Sequence, residues 1–202
     1  MSKFTSTHDG RKTLSIDGTG ALPSVDYNVA ENICSFIETN VMQQGKIIDF
    51  GAGKGYFQKY CEDNTLFKVW SIEGCSDVEF VANKDNQLIK NLGLPLEEEY
   101  RDSFDLVVSF ECIEHIHKSE QRVFWENLFL CAPKALVTIH TENEEHDEHC
   151  FIRRYDWWEN FFKESGYGFN ILGTAHQPWS VWPEANCSLA VLLWKPEAVV
   201  YE

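Results

Sequence analysis

Two rhythms of apolar residues run through this chain. Ile47, Ile48 and Phe50 mark a buried strand over 46–50, and a continuous apolar run at 104–110 predicts a central strand of the kind covered on both faces. Residues 67–72 alternate, and 135–140, 169–172 and 188–194 complete the predicted strands. Between them the spacing changes to three and four. Val29, Ile33, Phe36, Ile37 and Val41 predict a helix over 27–44, stopped by Gly45. A second helix is expected over 56–63. Val123, Phe124, Leu128 and Phe129 mark a third over 119–131, with Ser119 as its N-cap and Pro133 beyond its end. Asp156 is expected to cap a fourth, over 157–165, which Gly166 ends. Residues 78–90 are mixed and give no definite element. Strands alternating with helices read as an α/β chain.

The junction of the first strand and second helix carries the first chemical signal. Lys46-Ile47-Ile48-Asp49-Phe50-Gly51-Ala52-Gly53-Lys54-Gly55 is a strand running into a loop with alternating glycines, where the backbone can take positive φ and a ligand can approach with no Cβ in the way. A dinucleotide fingerprint requires a small residue where Tyr56 stands, and a P-loop requires Ser or Thr where Gly55 follows Lys54. What remains is D-x-G-x-G-x-G, which resembles the first motif of the class I S-adenosylmethionine-dependent methyltransferases. The resemblance covers roughly residues 27–194 and is strongest at 49–55, at Glu73 and at 104–115.

That family implies a doubly wound three-layer sandwich: a mostly parallel seven-stranded sheet whose last strand is antiparallel. It implies S-adenosyl-L-methionine as cofactor, held by Asp49, Gly51, Gly53 and Gly55. Glu73 closes the strand at 67–72, where a carboxylate can accept from both ribose hydroxyls. Asn91 and Leu92 match the segment after the third strand, where one residue meets the adenine amino group and the next packs on the ring. Phe110 ends the strand at 104–110 beside the cofactor.

The acceptor chemistry is expected just beyond that strand, at Glu111-Cys112-Ile113-Glu114-His115. A helix beginning there would place Glu111, Glu114 and His115 on one face. Two functions fit this E-x-x-E-H pattern. In the generic family pattern Glu111 lies at the methionine end of the cofactor and His115 packs nearby. In the small-RNA 2′-O-methyltransferases, which the element also resembles, such residues and a later histidine hold a divalent ion, Mg2+ or Mn2+. Here the ligands would be Glu111, Glu114, His115 and His149. By the resemblance His149, at the end of the acidic loop 141–149, is the best-placed histidine, ahead of His140 and His146. His115, His149 and Glu111 are also the candidate catalytic residues, because a hydroxyl acceptor needs a base or a metal to lose its proton at neutral pH.

Composition narrows the partners. With 17 basic and 32 acidic residues the formal net charge is −15, a field that repels long nucleic acid; Arg153-Arg154 is the one basic exception noted. The seven cysteines are scattered without a C-x-x-C pair and read as reduced thiols. There is no long apolar run and the first residues lack a signal segment, so a soluble, cytoplasmic protein is expected. Residues 1–26 of the 202-residue chain are expected to form an arm, a lid or a frayed terminus, and 27–202 a single cofactor-binding domain. The expected activity is O-methylation of a sugar, glycan or other small-molecule hydroxyl, with divalent metal as an assistant. RNA 2′-O-methylation and a non-catalytic binding module using an aromatic surface at Trp179 and Trp182 are the rival functions.

Overall fold

The computed structural model describes residues 4–6, 12–14, 25, 27–75, 78–141, 151–174 and 188–195. Strands β1 (Phe4–Ser6) and β2 (Lys12–Leu14) pair antiparallel inside the segment expected to be an arm. The main sheet is built from β3 (Gly45–Phe50), β4 (Phe67–Glu73), β5 (Gln87–Ile89), β6 (Leu106–Phe110), β7 (Lys134–His140), β8 (Gly168–Thr174) and β9 (Ser188–Trp194). Their spatial order is β5-β4-β3-β6-β7-β9-β8. Pairings from β5 to β7 are parallel, and β9 runs antiparallel to both β7 and β8. The seven-stranded sheet and its antiparallel last strand are thus as the resemblance implied.

Helices α1 (Tyr27–Asn40), α2 (Tyr56–Asn64), α3 (Gln121–Cys131) and α4 (Tyr155–Ser165) cover the sheet. The side-chain alternation of a strand explains how each central strand feeds two cores. Ile47, Val69, Leu106 and Val108 pack with Ile33 and Ile37 of α1 and Phe57 of α2. Ile48, Phe50, Ile72 and Val107 pack with Phe124 and Leu128 of α3 and Trp158 and Phe162 of α4. This second core is rich in aromatic rings, with Trp125, Trp158 and Phe162 in edge and stacked contacts at 5.8 to 6.0 Å.

Four local expectations need correction. The unassigned stretch 78–90 contains β5, short because only Gln87, Leu88 and Ile89 pair with β4. Helix α1 stops at Asn40, short of residue 44: the Val41 and Met42 N–H groups both donate to the Ile37 carbonyl, ending the regular ladder. Ser119 is not the cap of α3 but lies in a 3-10 turn, Lys118–Glu120, whose Ser119 N–H donates to the His117 ring. Asp156 sits inside the first turn of α4, and Arg154 takes the cap position. Gly166 does terminate α4, at φ 77°.

Strand β3 has β4 on one side and β6 on the other. The chain therefore leaves β3 in one direction and returns on its far side, which opens a crevice at the carboxyl ends of these strands. No helix among the described residues is long and apolar enough to cross a membrane.

Candidate active site

The crevice has two walls. On the first, β3 delivers Asp49 and then Gly51, Gly53 and Gly55, all left-handed with φ of 77°, 56° and 78°. The Gly51 and Ala52 N–H groups donate to the Ile72 carbonyl at 2.9 and 3.0 Å, which ties the loop to the end of β4. Gly51 must be glycine for two reasons. Its φ is costly for any L side chain, and an added Cβ would meet Cys112 Sγ and lie 2.8 Å from Cys112 Cβ.

Glu73, from the end of β4, reaches into this loop. Its Oε2 accepts from the Gly53 N–H at 2.9 Å and its Oε1 from the Cys75 N–H at 2.9 Å. The carboxylate expected to take ribose hydroxyls therefore also braces the glycine loop, and its two oxygens offer more lone-pair sites than the backbone donors use. Burial raises the Glu73 carboxyl pKa, while donors from Cys75, Gly53 and Gly74 pull it down. Asp49 is pushed well above the carboxylate range by burial and then by the charge on Glu73. Its Oδ1 is buried with no hydrogen-bond partner, so the wall holds a polar atom that the protein leaves unsatisfied. Left-handed glycines, a braced carboxylate and an orphaned acid oxygen suit an amine- and ribose-bearing cofactor.

The remaining cofactor candidates are tied to neighbouring structure. Asn91 Oδ1 accepts from the Gly93 N–H at 2.8 Å, closing a turn just after β5. Leu92 is buried in the α3/α4 core, and its carbonyl accepts from the side chain of Asn127. Phe110 packs edge-on against Phe57 of α2, with ring centroids 5.7 Å apart.

The second wall comes from β6 and β7. Glu111 follows β6 at φ 48°, a left-handed conformation that sends the chain away from a helical path. Only a single 3-10 turn follows, Ile113–His115, and the side-chain amide of Gln121 donates to the Ile113 and Ile116 carbonyls at 2.8 Å, fixing it. This corrects the expected helical face: Glu111, Glu114 and His115 are not stacked at α-helical spacing. Glu114 points inward and is 1% exposed. Burial raises its carboxyl pKa well above the usual range, and the Glu111 charge adds to this, against backbone donors at Glu114 and His140. Glu114 Oε2 has no hydrogen-bond partner. His115 is half-buried, its N–H bonded to the Cys112 carbonyl.

A different histidine meets Glu111. His140 ends β7, the neighbour of β6, and its Nδ1 lies 3.8 Å from Glu111 Oε2, too far for a hydrogen bond but within ion-pair range once the ring is protonated. The sequence ranked His140 low because the partnership depends on two strand ends lying side by side. Among the described residues no group of three His, Cys, Asp or Glu side chains could hold a metal ion. Glu114, one of the expected ligands, is buried in the core; His149, another, lies outside the described residues, as does His146. So do Trp179 and Trp182.

A family model for a methyltransferase domain matches residues 25–173. No curated protein sequence matches the chain. Among solved structures, the glycopeptide N-methyltransferase MtfA complexed with S-adenosyl-L-methionine is similar at a TM-score of 0.61 and 13% identity, over 85% of this chain and 95% of that one. The small RNA methyltransferase HEN1 is similar at 0.60 and 14%, over 84% of this chain, which spans a quarter (25%) of HEN1. The Burkholderia thailandensis 1,6-didemethyltoxoflavin-N1-methyltransferase is similar at 0.58 and 12%, over 85% of this chain and 80% of that one. At these identities the likenesses speak for the fold, while the family match covers most of the chain. The chain belongs to the methyltransferase domain family and is a class I S-adenosylmethionine-dependent methyltransferase.

Proposed function

We propose that the enzyme methylates a hydroxyl of a small-molecule or glycan acceptor, with His140 taking the hydroxyl proton and Glu111 stabilising the imidazolium that forms. S-adenosyl-L-methionine, when bound, supplies a methyl group on a positively charged sulfur. The chain from Tyr27 onward acts as one unit in this reading: Asp49, the three loop glycines and Glu73 hold the cofactor, with Asn91 and Leu92 at its adenine end and Phe110 behind it. Transfer is an in-line displacement, so holding acceptor oxygen and methyl group together contributes much of the rate. The remaining difficulty is the acceptor proton. A hydroxyl scarcely ionises at neutral pH, so it needs a base as the new bond forms.

The observation that carries this reading is the 3.8 Å approach of Glu111 to His140 at the carboxyl edge of the sheet. Two acids compete for charge there. Burial and then the charge on Glu111 push the Glu114 carboxyl pKa well up, and this reading assigns the negative charge that faces the imidazole to Glu111. No step of this reading is routed through a metal. RNA is disfavoured as acceptor by the charge of −15.

The test is methyl transfer to pooled hydroxyl and amine acceptors, with and without a chelator. His140→Asn should lower kcat by about 10²- to 10⁴-fold while the affinity for S-adenosylhomocysteine stays the same. Equal kcat in the variant, or a strict requirement for Mg2+ or Mn2+, overturns the proposal.

A further inference from the structure

The acidic excess of this chain makes its arginines informative. Arg101 lies 2.6 Å from Glu98, Arg122 lies 2.7 Å from Glu126, and Arg154 lies 3.8 Å from Asp156. Arg153 differs: among the described residues no carboxylate lies within ion-pair range of it. Its guanidinium instead sits 4.4 Å from the ring centre of Phe151 and 5.6 Å from that of Trp157. Aromatic faces hold a guanidinium in place without cancelling its charge. One of its five N–H donors is engaged, by Nη1 donating to the Ile152 carbonyl at 2.7 Å.

The position of this cation ties it to the second wall. The Phe151 N–H donates to the Glu114 carbonyl at 3.0 Å, which joins the segment to the turn that follows Glu111. Arg153 is two residues further on, within roughly 7 Å of extended chain.

We propose that Arg153 is a specificity-determining residue of the acceptor site, and that the acceptor is a hydroxyl compound bearing a carboxylate. This rests on the acceptor site placed above at Glu111 and His140. The planar fork of a guanidinium matches a carboxylate through two parallel hydrogen bonds. The charge selects among anions. A carboxylate brings one negative charge to one guanidinium, whereas a phosphate monoester brings about −1.5 to −2 into a protein that already carries −15. Arg154 adds little, being strongly exposed and near Asp156.

The experiment is calorimetry on the full chain loaded with S-adenosylhomocysteine. The probes are 4-hydroxybenzoate and 3-hydroxybutyrate, their primary amides, and 4-hydroxyphenyl phosphate as the dianion. Each acid should bind roughly 10- to 100-fold more tightly than its amide, the range of a charge-assisted pair. Arg153→Gln should erase that difference and leave S-adenosylhomocysteine affinity intact. Arg153→Lys, which keeps the charge and the apolar stem, should restore part of it and controls for folding. Acids and amides binding alike, a preference that survives Arg153→Gln, or the phosphate binding best would each overturn the proposal. A carboxylate preference without any methyl transfer would uphold Arg153 and sink the acceptor chemistry. Transfer to neutral acceptors with Arg153 indifferent would sink this inference alone.

Discussion

The two walls of the crevice each bury a pair of carboxylic acids, and they compensate them differently. On the cofactor wall, Glu73 collects backbone N–H donors from the glycine loop and from Cys75, and its charge, added to burial, drives Asp49 upward. On the acceptor wall, Glu111 faces an imidazole, and its charge, again added to burial, drives Glu114 upward. In both pairs the charge on one acid adds to the burial that pushes its neighbour toward neutrality. The difference lies in what faces the other acid. Backbone dipoles are fixed, which suits a wall that must recognise an unchanging cofactor. A histidine can gain and lose a proton, which suits a wall that must move one.

The sharpest way to break this comparison is a substitution where the walls touch. Gly51→Ala places a methyl group against Cys112, which belongs to the acceptor wall, at a backbone φ of 77° that only glycine takes cheaply. The left-handed backbone and the overpacking together cost about 2 to 5 kcal/mol. The expected outcome is a lower melting temperature and S-adenosylhomocysteine binding too weak to measure by calorimetry. Because the φ alone is unfavourable, trimming the neighbour with Cys112→Ala should rescue the variant only in part. Full rescue would show that the clash, and not the backbone geometry of the loop, is what matters.

A smaller loss is expected from the acid that braces the loop. Glu73→Ala removes the acceptor of the Gly53 and Cys75 N–H groups and the group assigned to the ribose. Hydrogen bonds to a charged group contribute about 1.5 to 3 kcal/mol each, so losing two to the ribose should lower cofactor affinity by roughly 10²- to 10⁴-fold. Stability should fall as well, because two buried donors lose their partner. Glu73→Gln, which keeps one acceptor oxygen, should recover more of the stability than of the affinity. Unchanged affinity in both variants would remove Glu73 from the cofactor site and leave it a purely structural brace.

The walls also differ in how far the sequence reveals them. Asp49, Gly51, Gly53 and Gly55 are consecutive or nearly so, and the backbone conformations they require can be read from residue type alone. Glu73 is found by the strand it terminates. The acceptor wall has no such local signature. Its expected helical face depended on Glu111 continuing into an α-helix, yet Glu111 takes a left-handed conformation that its residue type does not announce. The Glu111 and His140 encounter depends on β6 and β7 being neighbours, twenty-nine residues apart in sequence but side by side in the sheet. Strand β5 escaped notice because three paired residues leave no periodicity to detect. The helix ends were displaced for a related reason: His117, not a conventional capping residue, closes the turn before α3.

The smallest expected effect tests whether Glu114 is the neutral member of its pair. Its folded pKa is raised well above that of an exposed glutamate by burial and then by Glu111. The native protein therefore keeps a proton that the unfolded chain releases once the pH exceeds about 4.3. Stability is fully present below that pH and declines as the pH rises toward and through the folded value, because the native state binds more protons than the unfolded one. Glu114→Gln retains an oxygen for the backbone donors and carries no ionisable proton, so it should lose this slope. Melting curves of the two proteins should nearly coincide at pH 4 and separate progressively toward pH 8, with the glutamine variant the more stable by several degrees. Parallel curves across that range would mean that Glu114 ionises as readily in the folded protein as outside it. In that case the negative charge would be shared between the two acids, and Glu111 would no longer be singled out as the counter-charge for His140.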